Sequence, residues 1–563
     1  MLHRGVLKNS EEKYSSEFFL DNSKPILNKF EQGTFDSFLY FTPQQFTGTG
    51  NWSDAARWSG GVVPGASSRV IIDGKATVAS AVEVAELQVK PTAQLTIATG
   101  NELTVTGDFT LESNASQTAT FLNQGCLSIG GSAVAQQYLT VARQWWYMAS
   151  PVVGATSSAV FGTNKIGDYS EPNHSYSDVF SEAVSLQAGK GYAVKLDAEG
   201  VADGIFAFSG TDFFDGNLTL TPTRTVTGTA GDAKRGFNLI GNPYPSYLNW
   251  NAAYNEATNL RTTIWYRTRG ASAMEFVTYN ASLGVSVPAG INGYIPPMQG
   301  FWVKVDSDPV APATQSTGSI TLTNVMRAHA DAEGNSTENQ LKVPAASPVQ
   351  LIRLKLNCGD QSDETVIALH PAANNGYDSY DSDKMSNLMS MPALYTLADT
   401  KQLAINALSD ESTIHHIPLG VQLPTPESAR LQWTETSLSS AARLYLIDKL
   451  LNSEIELNPG EEVQMPMDGS TSDSRFALEL RSPGMTTGKV TASEEMLSVW
   501  ESAGGVIMVN TPRIGTTLYL RTLTGQLISS QPVTTSITTL THQLSAGVYL
   551  LNIGNETRKV IVR

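Results

Sequence analysis

The run Glu86-Leu87-Gln88-Val89-Lys90-Pro91-Thr92-Ala93-Gln94-Leu95-Thr96-Ile97-Ala98-Thr99-Gly100-Asn101-Glu102-Leu103-Thr104-Val105-Thr106-Gly107-Asp108-Phe109-Thr110-Leu111 places leucine at 87, 95, 103 and 111 and a second apolar residue at 89, 97 and 105. Short apolar–polar alternations at a fixed spacing of eight, with Gly100 and Gly107 in or near the turns, read as strands that bury a face only by stacking on their neighbours. A Pro64-Gly65 turn and the apolar strand Val70-Ile71-Ile72-Asp73-Gly74 precede the run. Residues 46–135 are therefore expected to form a short β-solenoid.

Outward from that stack, the pattern stays β but loses its period. Between about 140 and 325, Arg143-Gln144-Trp145-Trp146-Tyr147-Met148, Gly236-Phe237-Asn238-Leu239-Ile240-Gly241-Asn242-Pro243 and Ile295-Pro296-Pro297-Met298-Gln299-Gly300-Phe301-Trp302-Val303 are aromatic or β-branched strands beside Pro or Gly turns. A short helix is expected near Trp250–Tyr254. This unit reads as a β-sandwich or jelly roll. A second β-sandwich is expected over about 340–485, where Val349–Leu356 alternates and Thr365–Leu369 pairs with it. Residues 1–45 read as an irregular lead-in. The linker from Ser482-Pro483-Gly484 to Gly488 leads to a last domain at about 490–563. The expected fold class is thus all-β and multidomain.

Composition limits the partners. The chain has 563 residues, a net charge of −16 and only 16% charged residues. An acidic chain without a Lys/Arg block is repelled by phosphate backbones, so nucleic acid is excluded as a partner. Cys126 and Cys358 lie in different expected units and are read as buried, unpaired thiols; no Cys/His cluster suggests zinc. No run of 18 apolar residues offers a membrane span. Met1–Ser10 lacks the apolar stretch of a signal peptide. The expectation is therefore a truncated gene reading or a piece of a longer surface protein.

The closing residues carry a second strong pattern. Gly547-Val548-Tyr549-Leu550-Leu551-Asn552-Ile553 and Arg558-Lys559-Val560-Ile561-Val562-Arg563 read as two strands around a Gly554-Asn555 turn. Leu518–Ile528 reads as an earlier hairpin turning at Gly525. This constellation resembles the C-terminal sorting domain of proteins exported by the type IX secretion system of Bacteroidetes. It departs from that family at Thr522, where an Asp is common, and at Asn510-Thr511-Pro512, where Pro-Asn-Pro is common. The resemblance implies an Ig-like β-sandwich recognised by the type IX translocon and sortase, with the passenger then attached to surface lipopolysaccharide. It implies recognition through Gly525, Gly547, Val548, Tyr549, Lys559, Val560 and Val562, and an extracellular, surface-attached or secreted location. The opening Gly50-Asn51-Trp52-Ser53-Asp54 through Gly74 resembles the start of G8-type domains of bacterial surface proteins.

Three constellations are candidates for chemistry. Trp52 and Trp58 read either as glycan-stacking rings or as a packed cap over the first rung. Asp378, Asp381 and Asp383 supply oxygens for calcium, yet the loop lacks the Gly and Glu of an EF-hand, and Asp residues equally close turns on their own backbone. His415 and His416 are neighbours in a strand and so point to opposite faces, which prevents them from sharing a metal. No nucleophile, phosphate-loop or zinc-protease signature is present. No cofactor beyond that calcium candidate is implied. The expected function is a non-enzymatic, structural or adhesive surface protein. The alternative is a carbohydrate-binding accessory protein, with host or environmental glycans as partners, or a fragment of a larger polysaccharide-active enzyme.

Overall fold

The computed structural model describes residues 3–7, 16–20, 42–139, 145–178, 183–195, 204–227, 234–269, 274–329, 349–385, 391–409, 414–424, 429–438, 442–465, 467, 471–481, 498–502, 506–510, 514–534, 537–540, 544–545, 547–553 and 556–562. Several sequence features fall outside these residues: Arg143-Gln144, Thr511-Pro512, the 482–488 linker, the Gly554-Asn555 turn, Arg563 and most of the lead-in. Within that lead-in the strand His3–Leu7 pairs antiparallel with Ser16–Leu20, so it is not wholly irregular. The chain divides into two compact units, Met1–Arg481 and Ser482–Arg563. Both are built almost entirely of strands. The α-helices among the described residues are Ser157–Phe161 and Trp250–Tyr254. The second occupies the expected position, and Asn249 caps it by accepting the Ala252 N–H.

The eight-residue pattern has a definite meaning. Leu87, Leu95 and Leu103 do not stack on one another; they lie in three different parallel ladders. Leu87 pairs with Phe109, Leu95 with Phe121, and Leu103 with Leu127. A partner therefore lies roughly three eight-residue steps further on, and each step is one side of a coil. All three leucines are fully buried, as are Val89, Ile97 and Val105. Alternation within each short strand sends one side chain in and the next out, which fixes the register. Coils approach closely at the corners: a Cβ on Gly125 would sit 2.2 Å from the Asn101 carbonyl oxygen, so only glycine fits there. The last parallel strand, Ala133–Tyr138, pairs on its other side with Ile205–Gly210, antiparallel. One core cluster runs from Phe46 through the stack to Phe206, Phe208 and Phe213, crossing the boundary expected at 135–140.

Two further sheets follow. A five-stranded sheet contains Phe237–Gly241, Gly300–Lys304, Thr263–Arg269, Met274–Asn280 and Val285–Val287 in that order. Strand Gln350–Cys358 pairs antiparallel with Gln361–Leu369, and both belong to an 11-stranded sheet. Strands at both ends of that sheet contribute to a single core (Leu457 at one end, Met465 at the other), so it curls on itself. Its opposite face packs Val366, Ala368, Ile405 and Ala407 against Leu283, Val285 and Val287.

The unit Ser482–Arg563 holds a four-stranded sheet in the order Leu527–Pro532, Thr517–Thr522, Gly547–Ile553, Glu556–Val562. A three-stranded sheet contains Ser498–Ser502, Val506–Asn510 and Ile537–Thr539. Its own core gathers Val509, Leu518, Leu520, Val533, Leu551, Ile553 and Val560.

Candidate functional site

The residues singled out at the C-terminal end fall on one sheet. Gly547–Ile553 pairs with Glu556–Val562 along its whole length, Gly547 opposite Val562 and Tyr549 opposite Val560. Val560 is buried, while Val548 and Tyr549 are half-buried. Tyr549 donates its hydroxyl to the Ser545 carbonyl at 2.8 Å. Gly525 turns the other hairpin at φ +89°, a left-handed conformation that favours glycine, and donates its N–H to the Thr522 carbonyl. Lys559 and Val562 have places in the pairing; their side chains lie outside the described residues.

The tryptophan pair is core. Trp52 and Trp58 are 1% and 4% exposed, their rings meet edge to face at 4.8 Å, and Trp58 donates its indole N–H to the Trp52 carbonyl at 2.7 Å. Phe46 packs on Trp58 from the neighbouring strand. A sugar ring needs an open aromatic face, and these two faces are spent on each other, so the cap reading replaces glycan contact at Trp52 and Trp58.

The acidic loop is likewise occupied. Asp378 accepts the Asn374 and Tyr380 N–H groups; Asp381 accepts those of Asp378 and Ala407. Asp383 receives Lys304 Nζ at 2.9 Å and the Tyr377 hydroxyl at 2.9 Å. Burial is the first cause that raises the Asp381 carboxyl, to about 7. A group held partly protonated and bonded to backbone donors closes a turn and presents little charge to a cation. Among the described residues no group of three or more His, Cys, Asp or Glu side chains could hold a metal ion. His415 is buried and His416 is exposed beside Glu479, as alternation along a strand requires.

One cleft escaped the sequence reading. A cavity of about 230 Å³ opens where the coil corner at 121–127 meets Asp212–Asp215, Pro245 and Arg327. Arg327 bridges Asp215 at 2.8 Å and the Asn123 carbonyl at 2.5 Å, and Asn123 donates its side-chain amide to Asp215 at 2.5 Å. Burial raises the Asp212 carboxyl and Asp215 adds to the rise, against the Phe213 N–H. Phe213 and Phe214 complete the wall. The set combines carboxylates, an amide and a guanidinium with apolar rings, which suits a small polar molecule.

Cys126 also lines this cleft. It is exposed, contrary to the expected buried thiol, whereas Cys358 is buried; neither is in a disulfide. The Cys126 thiol should react with a maleimide in native buffer, and Cys358 only after unfolding. Mass spectrometry of the labelled peptides checks this; equal native labelling at both sites would contradict the burial difference.

Residues 45–480 match the family described as a domain of unknown function, DUF8693. The chain belongs to the DUF8693 family. No curated protein matches it. A solved structure titled "Biofilm associated protein - BSP domain" aligns at 10% identity over 76% of this chain and 92% of that chain, with a TM-score of 0.14. Similarity at that score carries no argument about fold or role. The DUF8693 match ends at 480 and the first compact unit ends at Arg481, so the cleft, the tryptophan pair and the acidic loop belong to the DUF8693 region. The terminal hairpins do not.

Proposed function

We propose that this chain is a non-enzymatic, surface-attached or secreted protein exported by type IX secretion. Residues 482–563 would be the sorting domain and the DUF8693 region the displayed structural or adhesive passenger. One observation carries this reading: the residues that resemble the sorting motif gather in a compact unit with its own core, outside the family match. An address that a translocon reads and a sortase removes has to fold without help from its passenger, and a separate core supports that. Val548 and Tyr549 are half-buried, which supports their both packing and being read. The architecture we propose for the passenger is a short β-solenoid, supported by the three parallel ladders, followed by sandwich-type sheets.

The test expresses the chain with a leader in a Bacteroidetes host and follows peptides by mass spectrometry. The passenger should reach the surface without the peptides after about residue 490, linked to lipopolysaccharide. Deleting 547–563 should hold it in the periplasm. Normal export of the truncated chain would remove the sorting role.

A further inference from the structure

One buried cation of the DUF8693 region lacks what the others have. Lys304, Arg327, Arg353, Lys384 and Arg475 each face a carboxylate. Arg267 is 6% exposed and has no ion pair or hydrogen bond among the described residues; its Nε is enclosed without an acceptor. Its guanidinium lies 5.5 Å from the centre of the Phe276 ring, its register partner on the next strand. Burial pulls Arg267 below its ordinary value, with Tyr147 and Tyr176 as the nearest compensating groups. An unpaired buried charge is among the most costly features a fold can keep.

The surroundings are aromatic and rich in donors. Tyr147 packs on Trp302 at 5.7 Å and on Phe276 at 6.2 Å; Tyr169 packs on Trp302 at 4.6 Å and on Tyr176 at 5.2 Å. Trp302 also keeps an enclosed indole N–H without an acceptor. Tyr147 and Tyr176 add two phenolic hydroxyls close enough to Arg267 to act on its charge. The outer wall is Tyr176, 45% exposed on the edge strand Ser175–Asp178. Donors without acceptors call for an anionic group, and a half-exposed ring at the rim calls for an apolar ring face. With a net charge of −16 the chain repels anions at long range, so affinity must come from such a desolvated contact.

We propose that Arg267, with Trp302, Tyr147 and Phe276 around it and Tyr176 at the rim, binds the carboxylate of an acidic sugar residue in a polysaccharide. The guanidinium takes the carboxylate through two N–H donors, and Tyr176 stacks on the pyranose. This holds whether or not the terminal unit directs export.

Calorimetric titration of the full chain tests it with an oligogalacturonate, a neutral galacto-oligosaccharide of the same length and sodium acetate. The oligogalacturonate should bind at least about tenfold more tightly than the other two, the worth of one charge-assisted hydrogen bond. Arg267→Met should lose about tenfold or more of that affinity while melting no lower than the parent chain, because an apolar side chain suits the buried position. Tyr176→Ala, a change at an exposed ring, should weaken the oligogalacturonate and leave the melting temperature unchanged. No binding by the parent chain, undiminished binding by Arg267→Met, or acetate binding as tightly as the sugar would each overturn the proposal.

Discussion

Replacing Lys304 with methionine should destabilise the Met1–Arg481 unit by about 3–5 kcal/mol, the usual consequence of stranding one partner of a buried ion pair. The Lys304 ammonium lies 2.9 Å from Asp383 and 3.1 Å from the Tyr377 hydroxyl, and 4.8 Å above the Phe237 ring. The two side chains are 4% and 12% exposed. Burial pulls Lys304 down from its ordinary value, and Asp383 opposes that most strongly. Methionine removes the positive charge and leaves Asp383 with the Tyr377 hydroxyl alone. The contact also joins strand Gly300–Lys304 to Ser382–Asp383, so the loss should reach both halves of the DUF8693 region. The double change Lys304→Met with Asp383→Leu should recover most of the stability, since exchanging a whole buried pair for apolar side chains is often neutral. Urea denaturation of the parent, both single variants and the double variant gives the coupling. A loss below about 1 kcal/mol in Lys304→Met would show that the pair contributes no more than a surface one.

The second large effect is a pH response of two opposing signs. His329 is held between Thr96 and Thr120, at 2.9 and 2.6 Å, and no acid among the described residues offsets its burial. Burial, followed by Lys75, lowers it to about 3, so the folded state keeps it neutral while the unfolded chain protonates below about 6.5. Its contribution is complete above the unfolded value and is lost as the pH falls, by about 4–5 kcal/mol at roughly 1.4 kcal/mol per unit. Asp381 does the reverse. Its carboxyl is raised to about 7 by burial first and Asp378 next, against the Asp378 and Ala407 N–H groups and Arg261. The folded state therefore holds a proton that the unfolded chain releases near 4. That contribution is complete below about 4 and is lost as the pH rises through about 7, by about 4 kcal/mol. Between about pH 4 and 6.5 the two slopes offset each other. His329→Gln should leave a stability that falls as the pH rises, and Asp381→Asn one that falls as the pH drops. Urea midpoints at pH 4, 5, 6 and 7 read both; slopes of the same sign in the two variants would sink the assignment.

The sequence shows the strands of the stack more readily than their partners. Leu87, Leu95 and Leu103 announce short buried strands because alternation and burial are local. That each occupies a different side of the coil depends on pairing with Phe109, Phe121 and Leu127, which no local spacing encodes. The helix at Trp250–Tyr254 was legible from its apolar spacing, and Asn249 supplies its cap. Trp52 and Trp58 were open to two readings because composition does not reveal burial. Asp378, Asp381 and Asp383 were ambiguous for a related reason, since the same spacing serves a cation or a set of backbone N–H groups. Within Thr263-Ile264-Trp265-Tyr266-Arg267-Thr268-Arg269, Arg267 occupies what looks like a solvent-facing position. It is buried because another sheet covers that face. The cleft could not be read at all, because its wall comes from residues near 125, 213, 245 and 327, which only the folded chain brings together.

A parallel stack has no inherent last coil, since each coil presents the next with the same open hydrogen-bonding edge. Here the edge of Ala133–Tyr138 is taken by Ile205–Gly210 running the opposite way. That reversal offers no parallel template and so ends this ladder of the stack. Members of this family could gain or lose a whole coil between residues 69 and 132 and still end against the same strand, whereas a residue inserted within one of the short strands would turn the rest of that strand to the wrong face. Length should therefore vary in this region by steps of about three strands, and the terminating strand should stay where it is.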